Sequence, residues 1–382
     1  MEGADFLVIG AGVAGLSAAA RLAAHGRVAV IEAEEAIGYH SSGRSATFSH
    51  YGIGNRLVRA LTAHSRDYFL ERRDPPLART SNALFVATEA MLPALEKLRT
   101  DMAEFTDSLR DPAPDELGAL FPPLRTGSDA IVAAILYPDG LRLDSDALLQ
   151  AYAREVRDRG GLVRTGVRLS AIRPTGSGWR IESEAGESWS APILINAAGA
   201  WADSVARAAG VVPLGLRPLR RTIIVVDPPT GADVRDWPFV KTVVDDFYIL
   251  PESGKLMASP VDEVESDPCD AQPEEYDVAL AASKVEQYTT LAVSRIAHRW
   301  AGLRTFTADR IPAAGFAPGS PGFFWLAGQG GFGLQTAPAM AEAVEAMIAG
   351  TAWPAGLSTF GVEATDLRPE RLLEHSSSAA ET

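Results

Sequence analysis

Asp5-Phe6-Leu7-Val8-Ile9-Gly10-Ala11-Gly12-Val13-Ala14-Gly15-Leu16-Ser17-Ala18-Ala19-Ala20-Arg21-Leu22 decides the fold. The apolar run that ends at Ile9 predicts a strand, Gly10 a tight turn, and the Ala- and Leu-rich stretch from Gly15 a helix. A second strand follows at Val28-Ala29-Val30-Ile31 and ends in Glu32. Strand, helix and strand in that order build a parallel sheet, so the fold class is α/β. Gly10, Gly12 and Gly15 spell G-x-G-x-x-G where strand gives way to helix, the place where backbone N–H groups and the helix dipole meet a pyrophosphate. Glu32 follows at about the 20-residue spacing from which a carboxylate accepts hydrogen bonds from an adenosine ribose and repels a phosphorylated one. The plainer alternative is a glycine turn that only lets helix and strand approach, with Glu32 as a solvated strand end. Context favours a bound dinucleotide, NAD or FAD, and the motif alone does not choose between them.

Outward from that unit, the 382 residues are 47% hydrophobic and 22% charged, which is enough for two or three lobes with real cores. The 34 Gly and 25 Pro follow no period, excluding collagen-like, solenoid and low-complexity chains. With 35 basic against 49 acidic residues the net charge is −14, and no basic run tracks a phosphate backbone, so no nucleic-acid partner is expected. A single cysteine, Cys269, closes no internal disulfide and suits a reducing compartment, so a cytoplasmic location is expected. The first five residues lack the basic and apolar regions of an export signal. Residues 322–350, the most apolar stretch near the carboxy terminus, are interrupted by Gln329, Gln335, Glu342 and Glu345, so no transmembrane segment is expected. Six scattered histidines give no metal-ligand spacing.

Further along, the pattern predicts a loop at 40–45, a helix over 54–71, strands at 83–87 and 130–137 around a helix near 92–109, and a helix over 146–159 capped by Asp144 or Ser145. Alternating segments at 162–169 and 179–184 precede an apolar strand, Ile193-Leu194-Ile195-Asn196, with which the chain returns to the first sheet. Strand-rich sequence covers 214–226, 240–258 and 300–307, and the strand at 323–327 leads into a last helix from about 335. The expected lobes are a nucleotide-binding domain from 1–75, 140–205 and 300–366, and a β-rich substrate domain from 76–139 and 206–299. Residues 367–382 read as a flexible tail.

Three further segments point to flavin: His40-Ser41-Ser42-Gly43-Arg44-Ser45, Asn196-Ala197-Ala198-Gly199-Ala200-Trp201-Ala202-Asp203, and Gly328-Gln329-Gly330-Gly331-Phe332-Gly333. The last precedes a helix whose amide end lowers the energy of negative charge on a reduced isoalloxazine; a turn that merely packs helix on sheet is the alternative. Together with Pro213-Leu214-Gly215-Leu216, Arg220-Arg221, Phe247-Tyr248, Trp300-Ala301-Gly302-Leu303-Arg304 and Gly322-Phe323-Phe324-Trp325, the chain over 4–366 resembles the D-amino acid oxidase superfamily. Within it, the resemblance runs to the bacterial D-amino acid dehydrogenases typified by D-arginine dehydrogenase.

The resemblance implies a Rossmann-like FAD domain interleaved with a β-rich substrate domain, and non-covalent FAD. It assigns the cofactor to Gly10, Gly12, Gly15, Glu32, Ser41, Ser42, Gly43, Arg44, Ser45, Ala198, Gly199, Trp201, Gly328, Gly330, Gly331, Phe332 and Gly333. Cys269 lies far from these motifs, and His40 is the one candidate for a covalent link. The implied reaction oxidises the Cα–N bond of a D-amino acid, with hydride passing to flavin N5 and the imine hydrolysing to a 2-oxo acid and ammonia. Arg221, Arg304 and the Tyr248 hydroxyl are implied to clamp the α-carboxylate, Tyr51 to cover the substrate, and the Gly331 carbonyl to accept from its amine. An arginine fork suits a carboxylate on physical grounds as well; ion pairs with acids such as Asp245 or Asp309 are the structural alternative. Two positions depart from the pattern. Phe48 stands where the D-arginine enzymes carry a histidine, with His50 out of register. Asn82 stands where they carry a glutamate, and a neutral amide does not neutralise a buried cation, so a neutral or apolar substrate is expected. Glycine, sarcosine or a 2-hydroxy acid is the alternative substrate, and a non-catalytic dinucleotide-binding module the remote one. The electron acceptor, oxygen or a quinone, stays open.

Overall fold

The computed structural model describes residues 2–72 and 74–373. Phe6–Ile9 and Val28–Ile31 are buried four-residue strands paired in parallel, with the helix Val13–Leu22 between them in sequence. They form the middle of a six-stranded sheet. Ile193–Asn196 and Phe323–Ala327 extend it on one side in parallel, Ala313–Phe316 closes that edge antiparallel, and Leu162–Arg164 closes the other. Burial on both faces explains the continuous apolar runs. Side-chain parity sorts them: Phe6, Val8, Val28 and Val30 join the core beneath the helices Val13–Leu22, Ser145–Asp158 and Gly333–Ala349, whereas Leu7, Ile9, Ala29 and Ile31 join the opposite core.

That opposite face is covered by a separate four-stranded sheet, in the order Glu2–Gly3, Ser188–Ala191, Gly178–Ser183 and Leu169–Thr175. Of the alternating segments read from sequence, only Leu162–Arg164 joins the first sheet. The alternation at 179–184 reports a half-solvated antiparallel layer: Trp179 and Ile181 are buried while Arg180 and Glu182 are not.

The second lobe is an eight-stranded, mostly antiparallel sheet. Its path runs Val264–Glu265, Arg217–Val226, Lys255–Ser259, Tyr248–Glu252, Phe239–Thr242, Ala83–Ala87 and Ala133–Tyr137, and Ile296–Phe306 pairs along Arg217–Val226. Residues 300–306 therefore belong to this sheet and not to the nucleotide-binding lobe. The strand-rich reading of 206–299 also omits the helix Glu275–Tyr288, whose buried Val278, Ala281, Val285 and Tyr288 recur at helical spacing. One face of the sheet packs on that helix. The other face, bearing Phe85, Ile223, Phe239 and Tyr248, turns toward the first lobe. A short sheet of Phe48–Ser49, Leu141–Leu143 and Ala78–Thr80 lies at the junction. The tail expected from 367 is contradicted over its first residues, since Leu367 and Leu372 are buried; residues 374–382 lie outside the described ones.

Candidate active site

Each glycine of the first turn has its own steric reason. Gly10 sits at φ +103°, and a Cβ there would lie 2.5 Å from the Ala197 carbonyl oxygen. A Cβ on Gly15 would lie 2.0 Å from the Gly10 oxygen, so strand and helix approach only because it has none. At Gly12 an added Cβ would meet only Ser42 Oγ, at 3.4 Å. The turn stays open toward a cavity of about 450 Å³ between the lobes. Glu32 reaches back across its mouth, accepting from the Ala11 amide at 2.6 Å through one oxygen and from the Glu34 amide at 2.9 Å through the other.

The three segments singled out after the first turn converge on this cavity. Ser41, Ser42 and Ser45 line it, and Ser42 Oγ accepts from the Val13 amide at 3.0 Å. Ala198, Gly199 and Trp201 form another wall, with the His40 ring 4.5 Å from that of Trp201 and His40 Nε2 3.1 Å from Glu34 Oε1. Gly330, Gly331 and Gly333 form the third, where Gly333–Ala349 begins with no acidic residue in its first turn.

Several expected residues lie off the wall. Gly15 works behind it, as above. Gly43 closes the loop, donating its amide to the Gly38 carbonyl at 2.8 Å. The Arg44 guanidinium turns away to the second lobe, donating to the Ala271 and Ala301 carbonyls, each at 3.1 Å. Gly328, at φ +77°, turns the chain over Thr307, and the Phe332 ring joins Val58, Leu219 and Phe306 in a small apolar cluster. Tyr51 is a core residue, 4% exposed, its ring 5.7 Å from Phe105 and 5.6 Å from Tyr137; burial raises its hydroxyl's pKa, and it lines no part of the cavity.

The two candidate clamp arginines share a sheet face. Arg221 stands opposite Gly302, and Arg304 opposite Leu219, two positions along the same ladder. Arg220, of opposite parity, pairs instead with Glu274 at 2.6 Å and Asp277 at 2.9 Å on the helix side. Arg221 is committed within the protein: Nε donates to the Asp262 carbonyl at 2.7 Å and Nη2 to Glu263 at 3.2 Å. Neither Asp245 nor Asp309 pairs with either clamp candidate; the first meets Lys241 and the second Arg371. The Arg304 side chain stands on the cavity wall and, among the described residues, has no hydrogen-bond or ion-pair partner. Burial, reinforced by the positive charge of Arg221, pushes it down to about 10. Beside it the Tyr248 hydroxyl is buried and equally without a hydrogen-bond partner. Gly331 flanks it, a Cβ there falling 3.6 Å from Arg304 Cδ and Nε. An unpartnered guanidinium beside an unsatisfied hydroxyl is a pair that an anion can satisfy.

Phe48 stacks on Phe239 at 4.7 Å, and His50 packs among Phe48, Phe85 and Phe239. His50 Nδ1 accepts from the Gly52 amide at 3.0 Å, and burial with Lys241 and Arg59 nearby holds its pKa well below the usual range. The sequence reading overlooked Gln329, whose buried side-chain nitrogen on the cavity wall has no partner, and the wall formed by Val167, Arg168 and Leu169. Gln329 lay within a quoted motif; the other three carry no local signal, being placed by the pairing of distant strands.

The cavity suits FAD: two helix amino termini open on it, glycines remove side chains where backbone must approach, and Gln329 offers an unsatisfied amide. Among the described residues no helix is long and apolar enough to cross a membrane. The chain is 28% identical, over 92% of its length, to the tRNA 5-methylaminomethyl-2-thiouridine biosynthesis bifunctional protein MnmC of Burkholderia pseudomallei (strain 668), of which it spans 57%. Among solved structures it is similar to L-proline dehydrogenase from P. horikoshii, with a TM-score of 0.84 at 19% identity over 98% of this chain and 99% of that one. It is likewise similar to glycine oxidase from Geobacillus kaustophilus, with a TM-score of 0.79 at 20% identity over 95% and 99%. Residues 5–347 match the family described as DAO, FAD dependent oxidoreductase. The chain therefore belongs to the DAO family of FAD-dependent oxidoreductases, and FAD is its cofactor.

Proposed function

We propose that this oxidoreductase oxidises the Cα–N bond of an amino acid, a D-amino acid with a neutral or apolar side chain. The observation that carries the reading is the partnerless Arg304 on the cavity wall, with the buried Tyr248 hydroxyl beside it. A carboxylate docking there satisfies both groups at once and relieves the field that lowers the Arg304 pKa. Arg221 then acts one layer back, bound to Asp262 and Glu263 and lending charge without a free fork. The Gly331 carbonyl accepts from the substrate amine, which orients Cα–H, and hydride leaves from the uncharged form of the amine. FAD, when bound, supplies the acceptor for the hydride that leaves Cα, and water hydrolyses the resulting imine to a 2-oxo acid and ammonia. Preference for a neutral or apolar side chain rests on Asn82 and on the aromatic group of Phe48, Phe239 and Tyr248.

A second reading, oxidation of glycine or an N-substituted glycine such as sarcosine, is favoured by the names of the similar proteins, which include a glycine oxidase and a proline dehydrogenase. Both readings need the same carboxylate site. Anaerobic titration of the yellow holoenzyme with D- and L-amino acids, glycine, sarcosine and 2-hydroxy acids separates them by which substrates bleach the visible band. Bleaching by neutral D-amino acids is expected. Bleaching by 2-hydroxy acids alone refutes amine oxidation, and no bleaching by any of these acids favours a non-catalytic module. Admitting air, or a quinone, then identifies the electron acceptor.

A further inference from the structure

We infer that Arg44 is a positioning residue that fastens the cofactor-side loop to the strand carrying Arg304, so that cofactor site and anion site are held in one register. Its guanidinium uses four of its five N–H donors, three of them across the lobe boundary. Nη1 donates to the carbonyls of Ala301 and Ala271, each at 3.1 Å, Nη2 pairs with Asp270, and Nε donates to the Tyr39 carbonyl at 3.3 Å. The guanidinium carbon also lies 5.2 Å from the centre of the Tyr39 ring. The backbone takes part as well: the Arg44 carbonyl accepts from Trp300 Nε1 at 3.2 Å. Three residues earlier, Ser41 Oγ donates to the Leu303 carbonyl. One loop therefore grips the strand through the indole of Trp300 and the carbonyls of Ala301 and Leu303, next to Arg304.

The strand is shaped to receive it. Opposite the Arg44 stem stands Gly302, where a Cβ would lie 3.3 Å from Arg44 Cβ. Ala271, the other carbonyl held by the fork, packs with Ala200, Ala301 and Leu303. The fork thus gathers three pieces of chain around one edge of the cavity: residues 39–45, 270–271 and 300–303. Residues from two of them, Ser41 and Ser45 on the loop and Leu303 on the strand, line the cavity, as does Arg304. A planar group with five donors serves two carbonyls and a carboxylate together; an ammonium on a flexible stem does not hold that geometry.

The inference rests on the reading of Arg304 as the anion site only for its functional consequence; the fastening itself is tested separately. Amide hydrogen exchange is measured on the FAD-loaded protein and on Arg44→Met and Arg44→Lys. Exchange at residues 300–304 is expected to rise about tenfold in Arg44→Met and less in Arg44→Lys, with Phe323–Ala327 unchanged. Gly302→Ala, which leaves every charge in place, should give the same local pattern. Affinity for benzoate, a carboxylate without an amine, read from its perturbation of the flavin spectrum, should weaken about tenfold in Arg44→Met. Arg72→Met, which removes an ion pair with Glu155 at the ends of two helices of the first lobe, should lower thermal stability without moving either readout. Unchanged exchange at 300–304 in Arg44→Met and Gly302→Ala overturns the fastening. Raised exchange with benzoate affinity intact, while Arg304→Met abolishes it, overturns the positioning role. Benzoate affinity intact in Arg304→Met refutes the anion-site reading and leaves the fastening to be judged by exchange.

Discussion

Arg304→Met is the substitution on which the proposed chemistry stands or falls, and it predicts two effects of opposite sign. In the free protein the Arg304 guanidinium stands beside Arg221 without a partner, and burial together with that neighbouring charge pushes its pKa down to about 10. That displacement corresponds to roughly 3 kcal/mol of unfavourable environment for the charged form. Replacing the guanidinium by an apolar side chain removes this term and breaks no ion pair, so the melting temperature should stay level or rise. A docked carboxylate recovers the same energy, and losing about 3 kcal/mol weakens benzoate binding by about two orders of magnitude. Flavin should be retained, since the cofactor walls are untouched. The pH dependence has a definite sign: Arg304 binds an anion only when protonated, so benzoate affinity should be level near neutrality and fall as pH rises through about 10. The assays are differential scanning fluorimetry and the benzoate-induced change in the visible spectrum. A drop in stability of several kcal/mol together with unchanged benzoate affinity would show that Arg304 holds the fold and not the substrate.

Gly15→Ala should destabilise the protein by about 3 kcal/mol and abolish flavin binding, because its Cβ falls 2.0 Å from a backbone oxygen; Gly12→Ala, with only Ser42 Oγ at 3.4 Å, should keep the melting temperature and lose about tenfold in FAD affinity. Equal loss of stability in both variants, by chemical unfolding, contradicts that division of labour. His50 is buried with its pKa held down, so the unfolded chain binds a proton that the folded one refuses, and stability should fall as pH drops below about 6.5 by up to about 1.4 kcal/mol per pH unit. His50→Phe should flatten that limb in urea titrations at pH 7.5 and 5.0, and parallel losses in the two proteins would refute it. Asn82→Glu should raise the relative rate with D-arginine over neutral D-amino acids by about tenfold, read as a ratio of kcat/KM values; an unchanged ratio removes residue 82 from the specificity pocket.

The nucleotide-binding half was legible because its signals are local. Phe6–Ile9 and Val28–Ile31 announce themselves by composition, and Gly10 and Gly15 by an approach that only glycine permits. Parity also separates Arg220 from Arg221, since neighbours in a strand face opposite ways. What stayed illegible depends on partners far away in sequence. Nothing around Tyr51 says that Phe105 and Tyr137 enclose it, and nothing around Arg221 names Glu263. Arg44 sits among serines that line the cavity, yet its length carries the charge past them to carbonyls more than two hundred residues later. Glycine-rich segments misled in a similar way: Gly328 and Phe332 belong to the same turn as Gly330 and Gly331 but face Thr307 and Val58.

The ladder between Arg217–Val226 and Ile296–Phe306 bears on how such a protein can diversify. Its two strands are joined by an excursion spanning residues 227–295, which contains the strands 239–242, 248–252 and 255–259 and the helix Glu275–Tyr288. Insertions or deletions in those turns of that excursion that lie away from Asp262, Glu263, Asp270 and Ala271 leave the pairing of Leu219 with Arg304 intact, so lineages are free to vary them. A single-residue insertion inside either strand, by contrast, turns every following side chain to the wrong side of the sheet and carries an arginine with it. Sequence length should therefore drift in such turns of the excursion and stay fixed within the ladder.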